Sequence, residues 1–311
     1  MRSPELFERH PDNPVLTAAD WPYTVNAVFN PAATRLDGQT VLLARVEDRS
    51  GLSHLCVARS LDGLTGWTVD VGRRLLPDLE SESERYGVED PRITQFGDEY
   101  MVVYTGYSSG GPLVRLASTH DFSTYELHGT LMPPEDKDAA LFPQTFRDRW
   151  ALIHRPVAVS PRDMAHIWIS WSPDLHYWGE HAILLPAREG GWWDAHKVGL
   201  GPPPLLTDRG WLVLYHGVRV TVSGSLYRLG LALLDADRPE RVLARSSEWI
   251  FGPHAPYETS GDVPGVTFPC GWTVDGDGDT VHMYYGAADT SICVATGSIR
   301  ALLDWLERHS S

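Results

Sequence analysis

V-A-R-S-L-D-G-L-T-G-W, residues 57–67, closes a run of strand formers with Ser60, turns on Asp62 and reaches an aromatic residue at Trp67. In such a turn the aspartate side chain hydrogen-bonds the backbone two residues on, which marks a tight reversal between strands. The unit returns as LASTHDFSTYE (116–126), WISWSPDLHYWGE (168–180) and, more weakly, LALLDADRPERVL (231–243). Aligned on Asp62, Asp121, Asp174 and Asp235, the steps are 59, 53 and 61 residues. Repeats of this length are the mark of four-stranded propeller blades, none of which can bury its faces without neighbours. Dividing 311 residues by a step of about 60 gives five blades. The length alone would also admit two ordinary domains, but the repeat makes a second one unnecessary. The expected fold is an all-β, five-bladed β-propeller forming a single domain over residues 1–311. The repetition also makes the four aspartates turn residues, not reactive groups.

The remaining sequence agrees with that reading. Short strand-like runs such as TVLLARV, MVVYTGY, WALIHRP, HIWISWS, GWLVLYHGV and VHMYYGA are separated by Gly, Pro and Asp turns. Helical periodicity appears at the end of the chain, in SIRALLDWLERH, where Leu302, Leu303 and Leu306 share a face beside Trp305. Apolar residues make up 42% and charged residues 22%, a globular balance. The net charge of −15, spread along the chain, argues against a nucleic-acid groove but allows a small anion in a local basic pocket. No apolar run approaches the roughly 18 residues of a membrane span, and the first residues lack the apolar core of a secretory signal. A cytoplasmic location is the resulting expectation. Cys56, Cys270 and Cys293 are too few and too scattered for a disulfide framework or a Cys-x-x-Cys site. No H-x-x-x-H pair, Walker loop or G-x-S-x-G elbow occurs, and D-G-D-G-D at 275–279 reads as a hairpin turn, so no metal is expected.

A propeller directs attention to its axial funnel, where polar residues on inner strands meet whatever fills it. Several stretches place such residues at strand ends. RYGVEDPRIT (85–94) wedges Glu89 and Asp90 between Gly87 and Pro91, just before the strand-rich YMVVY. Asn30 stands in AVFNPA, Arg45 interrupts VLLARV, Lys137 precedes Asp138 in EDKDAALFP, and Arg155 ends WALIHRP. Lys197 precedes a Gly/Pro turn in HKVGLGPPPL, His216 closes WLVLYHGV, Tyr227 opens YRLGLALLD and Asp289 ends MYYGAAD. Singly, each has a structural reading: Arg45 or Arg155 pairing a carboxylate between blades, His216 as a satisfied core histidine. Together they form a set with a chemical preference. Carboxylate, Asn and Tyr suit sugar hydroxyls, and some of the twelve tryptophans can stack on a ring face. Arg155, Lys197 and Lys137 suit a phosphate. Sugar and phosphate in one site point to phosphorolysis.

The ordered motifs FNPA, GVEDPRI, KDAALFP, HRP, WISWSPDLHYWG, KVGLGPPPL, GWLVLYHGV, YRLGLALLD, VPGVTFPCGW and YYGAAD resemble glycoside hydrolase family 130, the β-mannoside phosphorylases and related β-mannosidases. The likeness runs from about Asn13 to Thr296. It implies a five-bladed propeller and an inverting glycoside phosphorylase, a hexosyltransferase that cleaves β-1,2- or β-1,4-linked manno-oligosaccharides to α-mannose 1-phosphate. Inorganic phosphate is the co-substrate, and no cofactor is implied. By the same resemblance Asp90 matches the catalytic acid, while Arg155, Lys197, Tyr227 and Lys137 match phosphate-binding positions. Asn30, Arg45, Glu89, His216, Phe268 and Asp289 match positions that hold the sugar. The acid is expected to start protonated, its pKa raised by burial or substrate, and to pass its proton through the mannose 3-hydroxyl. Pro91 is expected to hold Asp90 extended. Gly265 and Leu200 depart from the family's usual Asn and Ala, which bears on the acceptor side and the linkage. The rival readings are a hydrolase of the same family and a non-catalytic sugar-binding propeller. Partners are limited to the oligosaccharide and phosphate, with no nucleic acid or membrane and with homo-oligomerisation left open.

Overall fold

A computed structural model describes residues 5–157, 164–222 and 224–310. Its strands fall into five antiparallel sheets. After a two-residue strand β1 (Glu8–Arg9), the first blade comprises β2 (Ala27–Leu36), β3 (Gln39–Glu47), β4 (Ser53–Ser60) and β5 (Thr68–Leu75). The second comprises β6 (Val88–Phe96), β7 (Glu99–Ser108), β8 (Gly111–Thr119) and β9 (Glu126–Met132). The third comprises β10 (Asp136–Leu141), β11 (Trp150–Pro156), β12 (Ile167–Ser172) and β13 (Gly179–Leu185). The fourth has β14 (Lys197–Leu200), β15 (Leu205–Thr207), β16 (Gly210–Thr221), β17 (Gly224–Leu234) and β18 (Val242–Arg245). The fifth has β19 (Thr267–Val274), β20 (Thr280–Ala287) and β21 (Ser291–Ser298), completed by β1.

The apolar core lies between the blades. One cluster joins Leu43 and Val57 to Ile93 and Val102, and the next joins Val103 and Leu116 to Leu141 and Leu152. Others join Ile153 to Val198 and Trp211, Leu212 and Leu229 to Val281 and Tyr285, and Val28 and Leu42 to Tyr284 and Val294. The last of these links the fifth blade to the first, so the ring closes into a five-bladed β-propeller. Because successive side chains on a strand point to opposite faces, Leu42 and Leu43 enter different clusters, as do Val102 with Val103 and Leu152 with Ile153. Second strands are covered on both faces, which accounts for their unbroken apolar runs.

The turn aspartates behave as the repeat requires. Asp62 accepts from the Leu64 and Thr65 amides, Asp121 from Ser123, Asp174 from His176 and Tyr177, and Asp235 from Asp237 and Arg238. All four lie between the last two strands of their blade. The fifth blade lacks that turn because its fourth strand comes from the other end of the chain. There β1 pairs with β21 in the register Glu8↔Thr296 and Arg9↔Ala295, which covers an otherwise open sheet edge. Arg9 fastens the closure: its Nε and Nη2 donate to the buried Glu258 at 2.7 and 3.0 Å.

The chain ends in a helix, α2 (Ile299–His309), after a short α1 (Pro256–Thr259). Ser298 caps α2 by accepting from the Ala301 amide, and Ile299, Leu302, Leu303, Trp305 and Leu306 pack into the cluster between the fourth and fifth blades. Among the described residues no helix is long and apolar enough to cross a membrane, and no group of three or more His, Cys, Asp or Glu side chains could hold a metal. The D-G-D-G-D segment is a hairpin turn in which Asp277 accepts from the Asp279 and Thr280 amides.

Candidate active site

The first strand of each blade lines the axis, and three of them share one irregularity. In β2 the register slips between Phe29 and Ala32, in β6 between Glu89 and Arg92, and in β10 between Lys137 and Ala140. In each case two residues oppose one, a bulge that bends the strand and re-aims a side chain. The first extra residue is Asn30, Asp90 or Asp138, with φ of 45°, 48° and 53°. Asn and Asp tolerate this left-handed region better than other residues with a Cβ. Asp90 is therefore left-handed and not extended: the bulge geometry overrides the bias that Pro91 exerts on its predecessor. Asp289, beyond the end of β20, has φ 52° as well.

The first two of these bulges turn Asn30 and Asp90 into a cavity of about 680 Å³ on the axis, while Asp138 stays buried outside its lining. Of the eleven residues expected at the site, ten line it: Asn30, Arg45, Asp90, Lys137, Arg155, Lys197, His216, Tyr227, Phe268 and Asp289. Glu89 stands just behind, its Oε1 accepting from Arg45 Nη2 at 2.8 Å. Tyr107, Glu135, His196 and Val263 complete much of the rim.

Asp90 is 3% exposed. Its Oδ1 accepts from Asn30 Nδ2 at 2.9 Å and from Arg45 Nη1 at 3.2 Å. Arg45 is itself steadied by Ser53 Oγ at 3.0 Å and by the Phe29 ring, 4.5 Å below its guanidinium. Arg155 Nε donates to Asp138 Oδ2 at 2.8 Å, and Lys137 and Lys197 also line the cavity. Strand β14 approaches closely here because Gly199 has no Cβ: one would strike Asp138 and His216.

The electrostatics correct one expectation. Burial raises the Asp90 pKa, but the charges of Arg45 and Lys137, the Asn30 hydrogen bond and Arg92 outweigh it, so the carboxyl is held below its ordinary value. In the ligand-free protein Asp90 is an anion. The carboxyl that rises is Asp289, pushed up to about 6 by burial and by the negative charges of Asp90 and Glu89. Glu89 is also raised, by burial first. Burial, with Arg155, Arg92 and Lys137, lowers His216 to about 3 against the opposing charge of Asp138. His216 is thus neutral, and its 3.6 Å approach to Asp138 is no ion pair. Lys197 is lowered by burial and then by Arg155 and Lys137, whereas Lys137 is raised because Asp90, Asp138 and Glu89 overcome its burial. Tyr227 is raised, chiefly by burial, and stays a hydrogen-bond donor.

Two residues of this region were given no site role from the sequence. Asp138 is fully buried among Arg155, His216 and Arg92. Its signal was present: FNPAA, EDPRI and KDAAL carry Asn or Asp at the same bulge. Arg92, 1% exposed, has no comparable signal, because two of its three carbonyl partners, those of Leu200 and Gly201, are distant in sequence.

The sequence profile of glycoside hydrolase family 130, described as beta-1,4-mannooligosaccharide phosphorylase, matches residues 6–308. The beta-1,4-mannooligosaccharide phosphorylase of Ruminococcus albus is 32% identical over 99% of this chain and 92% of its own length. The beta-1,2-mannobiose phosphorylase of Listeria innocua is 40% identical over 83% of this chain and 70% of its own. The solved beta-1,2-mannobiose phosphorylase from Listeria innocua, in complex with beta-1,2-mannobiose, superposes with a TM-score of 0.88 at 31% identity, covering 97% of this chain and 99% of that one. With its five blades, its ordered motifs and a match over nearly its whole length, the chain belongs to glycoside hydrolase family 130.

Proposed function

We propose that this protein is an inverting β-mannoside phosphorylase, a hexosyltransferase that uses inorganic phosphate to release α-mannose 1-phosphate from a β-1,2- or β-1,4-linked manno-oligosaccharide. The observation that carries the reading is the composition of one cavity, which is lined by Asp90 together with Lys137, Arg155, Lys197 and Tyr227. Phosphate seated among those cations attacks the anomeric carbon from the face opposite the leaving oxygen. The C–O bond breaks, Asp90 supplies the proton through the mannose 3-hydroxyl, and the shortened sugar departs as an alcohol. Asn30, Arg45, His216, Phe268 and Asp289 hold the mannosyl unit, with Glu89 fixing Arg45. Since phosphate is the nucleophile, one acid suffices where ordinary glycosidases need two carboxylates.

The low pKa of ligand-free Asp90 fits this scheme once phosphate is counted. Lys137 acts on both Asp90 and the Asp138–Arg155 pair. An anion bound there offsets the positive field that keeps Asp90 ionised, and its own proton is the source from which the acid is loaded. A hydrolase of the same family would put water in place of phosphate and need a base. Asp289, at about 6, is the carboxyl suited to that role, yet water has no use for three cations. A sugar-binding propeller without activity has no use for a buried acid in the same cavity as those cations. The propeller acts as one catalytic domain, cytoplasmic where free phosphate is abundant, without metal or cofactor. Incubating manno-oligosaccharides with and without phosphate tests the reading. Mannose 1-phosphate of α configuration, formed only with phosphate, is expected; free mannose released regardless of phosphate would select the hydrolase, and no turnover the binding propeller.

A further inference from the structure

Arg92 follows the acid by two residues but does not line the cavity. It lies beneath, with a guanidinium whose donors are divided between two strands. Nη1 donates to the Asp90 carbonyl at 3.0 Å, Nη2 to the Leu200 carbonyl at 2.8 Å and Nε to the Gly201 carbonyl at 2.7 Å. Its Nη2 is also 3.7 Å from Asp138 Oδ1, and the group sits 5.8 Å from the centre of the Phe268 ring. Leu200 and Gly201 come three and four residues after Lys197. One rigid fork thus ties the strand bearing the acid to the strand bearing a phosphate cation, beside the carboxylate that holds Arg155.

Two physical points separate this from ordinary packing. A bulge removes its extra residue from the ladder, so the Asp90 carbonyl needs another donor to stay left-handed, and Arg92 supplies it. Burying a guanidinium is costly, and a well-packed apolar residue is often at least as stabilising. A residue that only filled this space would need no charge. The planar, fixed spacing of the guanidinium donors is what a flexible ammonium lacks.

We propose that Arg92 is a positioning residue: it fixes the aim of the Asp90 proton donor relative to the phosphate held by Lys197 and Arg155. The inference rests on the phosphorylase reading. Arg92→Lys keeps the charge and loses the fork. Phosphorolysis is measured on an unactivated manno-oligosaccharide, whose leaving group needs the proton, and on 4-nitrophenyl β-mannoside, whose leaving group hardly does. Misaligned acid geometry is expected to lower kcat about 100-fold on the first and no more than about threefold on the second. Equal losses on both substrates would mean a structural role and overturn the proposal. Should Arg92→Lys fail to fold, Pro91→Ala decides, since it leaves the fork intact: both substrates should then be turned over at wild-type ratio. A selective loss on the unactivated substrate would assign the aim of Asp90 to Pro91 and sink the proposal. Wild-type enzyme that ignores phosphate on both substrates would instead refute the phosphorylase reading itself.

Discussion

Replacing Lys197 by Met removes one of the three cations assigned to phosphate while keeping a long apolar stem. In the ligand-free protein Lys197 is half-buried and its pKa is lowered by burial, Arg155 and Lys137, so its loss relieves repulsion and should not reduce stability. The cost appears when phosphate binds. A hydrogen bond to a charged group contributes about 1.5–3 kcal/mol, or about 10- to 150-fold in affinity; about 50-fold is a central expectation. At phosphate 100 times the wild-type Kd, wild type gains about 2.7 kcal/mol of stability, and the variant, then at about twice its own Kd, gains about 0.6 kcal/mol. With an unfolding entropy of about 2.1 cal/mol/K per residue over 311 residues, that difference is about 3 °C in Tm. Thermal scans with and without phosphate should show the smaller rise, and the KM for phosphate should increase about 50-fold while that for the mannoside changes little. A KM for phosphate within about threefold of wild type, together with an unchanged phosphate-dependent rise, would refute the placement of phosphate beside Lys197.

Asp90→Asn still offers an oxygen to Asn30 and Arg45, so calorimetry should show mannoside binding retained while kcat falls by about 10² to 10⁴; a loss under tenfold would remove Asp90 as the acid. Asp289 has a folded-state pKa of about 6 against an ordinary 3.8. The folded protein therefore keeps a proton that the unfolded chain has released, and this contribution is full below the unfolded value and is lost as pH rises through the folded one. Urea midpoints of wild type should accordingly fall relative to Asp289→Asn between about pH 4 and about pH 7, and parallel curves would show that Asp289 is not raised. Glu258 accepts Arg9, the Tyr285 hydroxyl at 2.8 Å and the His254 and Ala255 amides at 2.8 and 2.9 Å. Glu258→Gln sets an amide against these donors and leaves Arg9 with only Glu5 as a carboxylate partner, so chemical denaturation should show about 2 kcal/mol less stability; an unchanged midpoint would mean that ring closure does not depend on this pair.

The sequence by itself determined the blades. Turn aspartates bond amides two or three residues away and strand alternation is local, so both print directly into the chain, and four copies of the turn were enough to count five blades. Motif order likewise located Asp90, Arg155 and Lys197. What only the tertiary structure decided depends on long-range neighbours. Closure by β1 pairs Arg9 with Ala295, and nothing near Arg9 in sequence announces it. Arg92 binds carbonyls 108 and 109 residues away, and Asp138 becomes a member of the site through Arg155, His216 and Arg92. The protonation of the site follows the same rule: burial alone would raise both Asp90 and Asp289, and the placement of Arg45, Lys137, Asn30 and Arg92 around Asp90, with Asp90 and Glu89 acting on Asp289, decides that the first falls while the second rises. A pKa is a sum over charges in space, and a sequence orders those charges only along a line.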